Sequence, residues 1–75
     1  MEAEEMFKEL GYMCFTHGTS ILYVNDSSDD EEIRSIRFDC KECTFDAVTN
    51  NNEPLRIDLA LFDAIQTQMR ELRWI

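Results

Sequence analysis

Cys14-Phe-Thr-His17 and Cys40-Lys-Glu-Cys43 come closest, by residue type and spacing, to a chemical site in this chain. Each pair is separated by two residues, and together they offer three thiolates and one imidazole, a full tetrahedral set for zinc. In an up-and-down meander the first and third turns lie at one end of the sheet, which would bring the two pairs together. The competing reading makes Cys14 a small core residue, His17 an exposed turn residue and the second pair incidental. Cys40-Lys-Glu-Cys43 is also a poor redox pair, because such a pair opens a helix and here strand-like residues flank it on both sides.

The second candidate is electrostatic. Sixteen Asp and Glu against seven Lys and Arg leave −9 on 75 residues, and five acids crowd into the stretch from Asp26 to Glu32, namely Asp26, Asp29, Asp30, Glu31 and Glu32. Phosphate binding runs on Lys and Arg displacing counterions, so this charge argues against nucleic acid and acidic membranes as partners and for basic protein surfaces or cations. As a calcium loop the stretch lacks the central Gly and spaced ligands of an EF-hand. It reads either as a solvated connection or as carboxylates that mimic phosphates. Asp39, Glu42 and Asp46, with Glu2, Glu4 and Glu5, would extend such a surface. Trp74, with Leu59 and Ile75, is the candidate apolar contact, although a Trp at this point also suits a cap on the core. Arg34 and Arg37 fall on alternating faces of a strand and are expected to pair with nearby acids.

Enzyme chemistry finds no support: there is one His, no phosphate loop and no Gly-rich turn around a Ser-His-Asp set. The acidic start and the lack of a long apolar run favour a cytoplasmic protein. Three Cys in such a compartment are expected as thiols or metal ligands.

The elements that must hold these residues are legible. Ala3, Met6, Phe7 and Leu10 share one helical face, with Gly11 at the position of a left-handed cap. Tyr12 to Phe15, Ile21 to Val24, Ile33 to Phe38 and Cys43 to Val48 read as three to four strands; Ile36 and Phe38 alternate with Ser35 and Arg37. Asp58 is placed to cap a helix running to about Arg73, with Leu61, Phe62, Ile65, Met69 and Leu72 in one stripe and Leu59 and Trp74 outside it. The expected fold is a single α+β domain of two layers, in which N-terminal and C-terminal helices cover one face of a three- to four-stranded antiparallel meander.

The ends of the chain add a resemblance. Met6-Phe-Lys-Glu-Leu-Gly-Tyr12, Asp58-Leu-Ala-Leu-Phe-Asp-Ala-Ile-Gln66 and Glu71-Leu-Arg-Trp74 resemble small phage and prophage proteins of low-GC Gram-positive bacteria, which carry F-x-x-L-G-Y, a strand meander, then A-I-x-x-Q and E-L-G-W. Arg73 stands where that pattern has Gly. The resemblance implies an accessory protein acting on host machinery, among which are inhibitors of nuclease-based, CRISPR-type defence. Residues and resemblance together leave three expectations: an acidic, non-enzymatic binder of a basic surface that blocks or mimics nucleic acid, a zinc-stabilised module, and a homodimer joined through Trp74 or a strand edge.

Overall fold

The computed structural model describes residues 2–26, 33–51 and 53–75. Helix α1 spans Ala3–Glu9, and strands β1 (Met13–His17), β2 (Ser20–Asp26), β3 (Ile33–Asp39) and β4 (Thr44–Thr49) follow before helix α2 (Leu59–Glu71). The strands form one antiparallel sheet in the order β1-β2-β3-β4. This is the expected α+β arrangement, with the fourth strand present. The stretch Asp29, Asp30, Glu31 and Glu32 lies outside the described residues.

Strand periodicity divides the sheet into two faces. Paired residues share a face, so Cys14, Tyr23 and Ile36 stand on one side with Ile21, Phe38 and Phe45, whereas Phe15, Leu22, Arg37 and Asp46 form a row on the other. The first side carries the core: Tyr23, Ile36 and Phe38 are buried there with Phe7 of α1 and Leu61, Ala64 and Ile65 of α2. Aromatic rings join the layers. Phe7 stacks on Tyr23 with centroids 3.8 Å apart, and Tyr12 and Phe38 meet Phe7 edge-on at 5.8 and 6.3 Å. The Tyr23 hydroxyl donates to Gln68 Oε1 inside the core, which explains a buried amide in the middle of α2.

The stripe on α2 is shifted from the one expected. Leu61 and Ile65 are buried and Met69 and Leu72 pack at the margin, but Phe62 is 47% exposed and its place toward the sheet is taken by Ala64 and Gln68. Ala64 is fully buried in the core, and the Tyr23 hydroxyl gives Gln68 a reason to be inside. Trp74 folds back so that its ring lies 6.1 Å from Phe38, partly buried against the core. Of the two roles the sequence offered for Trp74, this placement is that of a cap on the core. Leu59, by contrast, is exposed at 78%.

Both helices end in the same device. Beyond α1 the Tyr12 amide donates to Phe7 O at 2.9 Å and the Gly11 amide to Lys8 O at 3.0 Å; beyond α2 the Trp74 amide donates to Met69 O at 2.9 Å and the Arg73 amide to Arg70 O at 3.0 Å. These are Schellman caps, which need a residue of positive φ at the turn. Gly11 supplies it at φ +94, but Arg73 is held at φ +62 with a Cβ in place. At the other end of α2, Asp58 Oδ1 accepts from the Leu61 amide at 2.8 Å. The first helix has only seven residues and no side-chain cap at Glu2; Glu71 Oε2 accepts from the Ala3 amide at 2.6 Å and ties it to α2.

Two substitutions test these ends. Arg73→Gly should stabilise the protein by about 1 kcal/mol by removing left-handed strain, less the entropy a glycine adds to the unfolded chain. Asp58→Ala should destabilise it by about 1 kcal/mol through loss of the cap. Thermal melts should then shift in opposite directions, each by roughly 4–8 °C for a domain of this size.

Candidate interaction surfaces

The two sheet edges are not equivalent. Ladder alternation in an antiparallel pair turns the N–H and C=O of every second residue away from its neighbour. On β4 the outward groups of Ala47 and Thr49 are met by the returning chain: the Thr49 amide donates to Glu53 O at 2.9 Å, the Leu55 amide donates to Ala47 O at 3.1 Å, and Pro54 bridges Val48. The Thr49 hydroxyl secures this return by accepting from the Asn51 and Glu53 amides, each at 3.3 Å. On β1, the two-residue turn Gly18-Thr19 makes His17 and Ser20 the first bonded pair, so the outward residues are Cys14 and Thr16. Among the described residues no strand lies beyond them. Phe15, Thr16 and His17 are exposed.

The face of the sheet turned away from the helices is also uncovered. Met13 at 66%, Phe15 at 51% and Ile33 at 37% are exposed there, beside the half-buried Leu22, Val24 and Val48. Arg37 and Asp46 sit within this apolar field and pair at 3.5 Å, as expected of a surface arginine. Although β3 brings Ser35 and Arg37 to this face, strand alternation on β1 and β2 makes much of it apolar.

The acids divide by position. Every described Asp and Glu is exposed except Asp39, which is half-buried. Asp39 Oδ1 accepts from the Lys41 and Glu42 amides at 3.0 and 3.2 Å, so this carboxylate shapes the turn before β4. That turn, with exposed Glu42, lies at the end of the sheet opposite Asp26, because β2 runs from Ser20 beside Asp39 to Asp26 beside Ile33. Seven residues of strand separate the two groups by roughly 20 Å. Glu4 and Glu5 of α1 line a cavity of about 380 Å³ with Lys8, Tyr12, Met13 and Cys14, at the start of β1. A second cavity, of about 400 Å³, has Arg34, Arg56 and Asp58 among its walls and so carries mixed charge.

The zinc set is only half assembled. The first and third turns do share an end, and the Cys40 amide donates to Thr19 O at 2.8 Å. Cys14 and His17, however, are an odd number of strand residues apart and fall on opposite faces, with Cys14 on the helix side and His17 exposed beyond Phe15. Among the described residues no three His, Cys, Asp or Glu side chains stand together as ligands. Cys43 is exposed at φ +57, closing the β3–β4 turn, and Cys40 is half-buried. Among the described residues no helix is long and apolar enough to cross a membrane.

Burial sets the state of the groups near β1. It raises the Cys14 thiol, an effect enlarged by a hydrogen bond to Glu4 and by that carboxylate's charge. Burial likewise raises Tyr12, where Arg34 opposes the shift and Asp58 adds to it, and it raises Tyr23 strongly. No protein-family model matches the chain, and no curated protein or solved structure matches it either.

Each of these three acids is held neutral in the folded protein above the pH at which the unfolded chain ionises. Their stabilising contribution is complete below the ordinary thiol value of 9.0 and is lost as pH rises through the shifted values. Urea midpoints should accordingly fall between neutral pH and about pH 10. At pH 8, alkylation and subsequent peptide mapping should modify exposed Cys43 well before Cys14.

Proposed function

We propose that this protein is a non-enzymatic binder of a basic protein surface, and that it acts as an accessory inhibitor by covering a site its partner uses for nucleic acid. What carries the reading is the placement of charge: a chain of −9 keeps all its described carboxylates at the surface, apart from the turn-forming Asp39. Glu4 and Glu5 stand beside the beginning of β1, and Asp26 lies at the same end of the sheet, since Met13 pairs with Val24. Carboxylates arrayed this way satisfy Arg and Lys side chains that otherwise meet phosphates, and they raise association rates by steering. Glu42 and Asp46 belong to the other end and the outer face, where they add to the long-range field more than to one contact.

A phage-type origin fits this reading, because an accessory protein of that kind meets host nucleases and other nucleic-acid-binding factors. Nothing in the mechanism requires bond chemistry. The protein would compete by occupancy, and release would follow the screening of charge.

The test is a titration of purified chain against basic nucleases and nucleic-acid-binding proteins captured on it from a host lysate. Affinity should fall by about tenfold or more as salt rises from about 50 to about 200 mM, and an oligonucleotide ligand of the partner should displace the chain. Binding that is indifferent to salt and permits nucleic acid to bind at the same time would remove the proposal.

A further inference from the structure

The uncovered edge of β1 has both the hydrogen-bonding groups and the flanking charge to select an occupant. The Cys14 and Thr16 backbone groups point outward, while residues 53–55 occupy the β4 edge from Ala47 to Thr49. On the helix side of this edge, α1 holds Glu4 against Cys14, with Glu5 lining the same cavity; Lys8 is the opposing cation there. On the other side Met13 and Phe15 present exposed apolar surface. An added strand alternates its side chains between these two environments.

Resting on the binding role proposed above, we infer that β1 is a docking edge for an extended segment of a basic partner protein in which Arg or Lys alternates with aliphatic residues. Residues opposite Cys14 and Thr16 lie on the helix side of the sheet, the first of them beside Glu4 and Glu5, and are the cationic ones. Residues opposite Met13 and Phe15 are aliphatic and continue the outer apolar face. Main-chain bonds to Cys14 and Thr16 supply affinity, and the alternation supplies register and selectivity. A second copy fits this edge poorly. Antiparallel pairing of two β1 strands about a two-fold axis sets both α1 helices on one face, bringing Glu4 and Glu5 of each toward the other in two chains that each carry −9.

The experiment uses an end-blocked peptide of alternating Arg and Val, about ten residues long, so that it overreaches the edge at both ends. Nuclear magnetic resonance follows the labelled chain at low salt, with a peptide of the same composition but segregated Arg and Val as control, and polylysine as a probe of charge alone. The alternating peptide should slow amide exchange at Cys14 and Thr16 and bind about tenfold more tightly than the segregated one. Docked antiparallel to β1, the residues opposite Cys14 and Thr16 turn their own N–H groups toward it, so N-methylation at the Arg amides should abolish that difference, whereas N-methylation at the Val amides should leave it intact. Thr16→Pro removes an outward amide that makes no bond to β2, and it should lower affinity for the alternating peptide by about tenfold while polylysine still binds. Glu5→Lys should weaken the peptide severalfold.

Equal binding of the two peptides, or indifference to where the methyl groups sit, overturns the edge and leaves the basic-surface reading standing. Protection of Cys14 and Thr16 that grows with protein concentration in the absence of peptide gives the edge to a second copy and also overturns the inference. Failure of both peptides and of polylysine to bind removes the broader reading itself.

Discussion

The stacking of Phe7 on Tyr23 is the contact on which the two layers depend. A seven-residue helix does not hold together alone in water, and α1 has no side-chain cap at its start, so its persistence rests on burying Phe7 against the sheet. Tyr23 meets that ring with its face and spends its hydroxyl on Gln68 of α2, so one central-strand residue engages both helices. Around this pair Tyr12, Phe38, Phe45 and Trp74 form a chain of ring contacts from the end of α1 to the end of α2. Burying Tyr23 in an apolar core is tolerable because its one polar atom has a partner; the same partner is why α2 can bury an amide.

The ends of the helices serve this packing. Each Schellman cap reverses the chain immediately after the last turn and delivers an aromatic residue back to the core: Tyr12 lies edge-on to Phe7 after α1, and Trp74 lies against Phe38 after α2. Gly11 does this without strain, and added bulk there would press on the Asn25 side chain, whose amide donates to Leu10 O at 3.4 Å. Arg73 performs the same role at a left-handed φ that a glycine would accept more readily.

Period and capping made most of the fold legible in the sequence. Ala3, Met6, Phe7 and Leu10 mark a helix face because nothing else explains their spacing, and Asp58 marks its cap for the same kind of reason. Contacts that depend on two elements at once were less visible. Phe62 fits the stripe on α2 by angle, yet it is exposed, because the width of contact with α1 and the sheet favours Ala64 and Gln68. The spacing of the metal set is silent on one simpler rule: Cys14 and His17 match a ligand spacing but stand on opposite faces once the segment is a strand. The open β1 edge carries no sequence signal at all, since it exists only because residues 53–55 fold onto β4 and not onto β1.

An exposed strand edge beside apolar Met13 and Phe15 is a hazard for self-association, and the charge of the chain bears directly on it. Short length limits the edge to two outward residues, and the carboxylates of α1 stand over it, so an approaching copy brings like charge to the same place. The acids therefore have two effects that arise from one arrangement. Under the docking proposed for this edge they would discourage pairing between identical chains and favour a segment of opposite charge in the same groove. Solubility and selectivity are usually credited to different residues; under that proposal Glu4 and Glu5 would supply both, while Lys8 limits how much negative field the site can hold. Under the same proposal the acidic composition acquires a location: it would act most on binding where backbone bonds are left to be made.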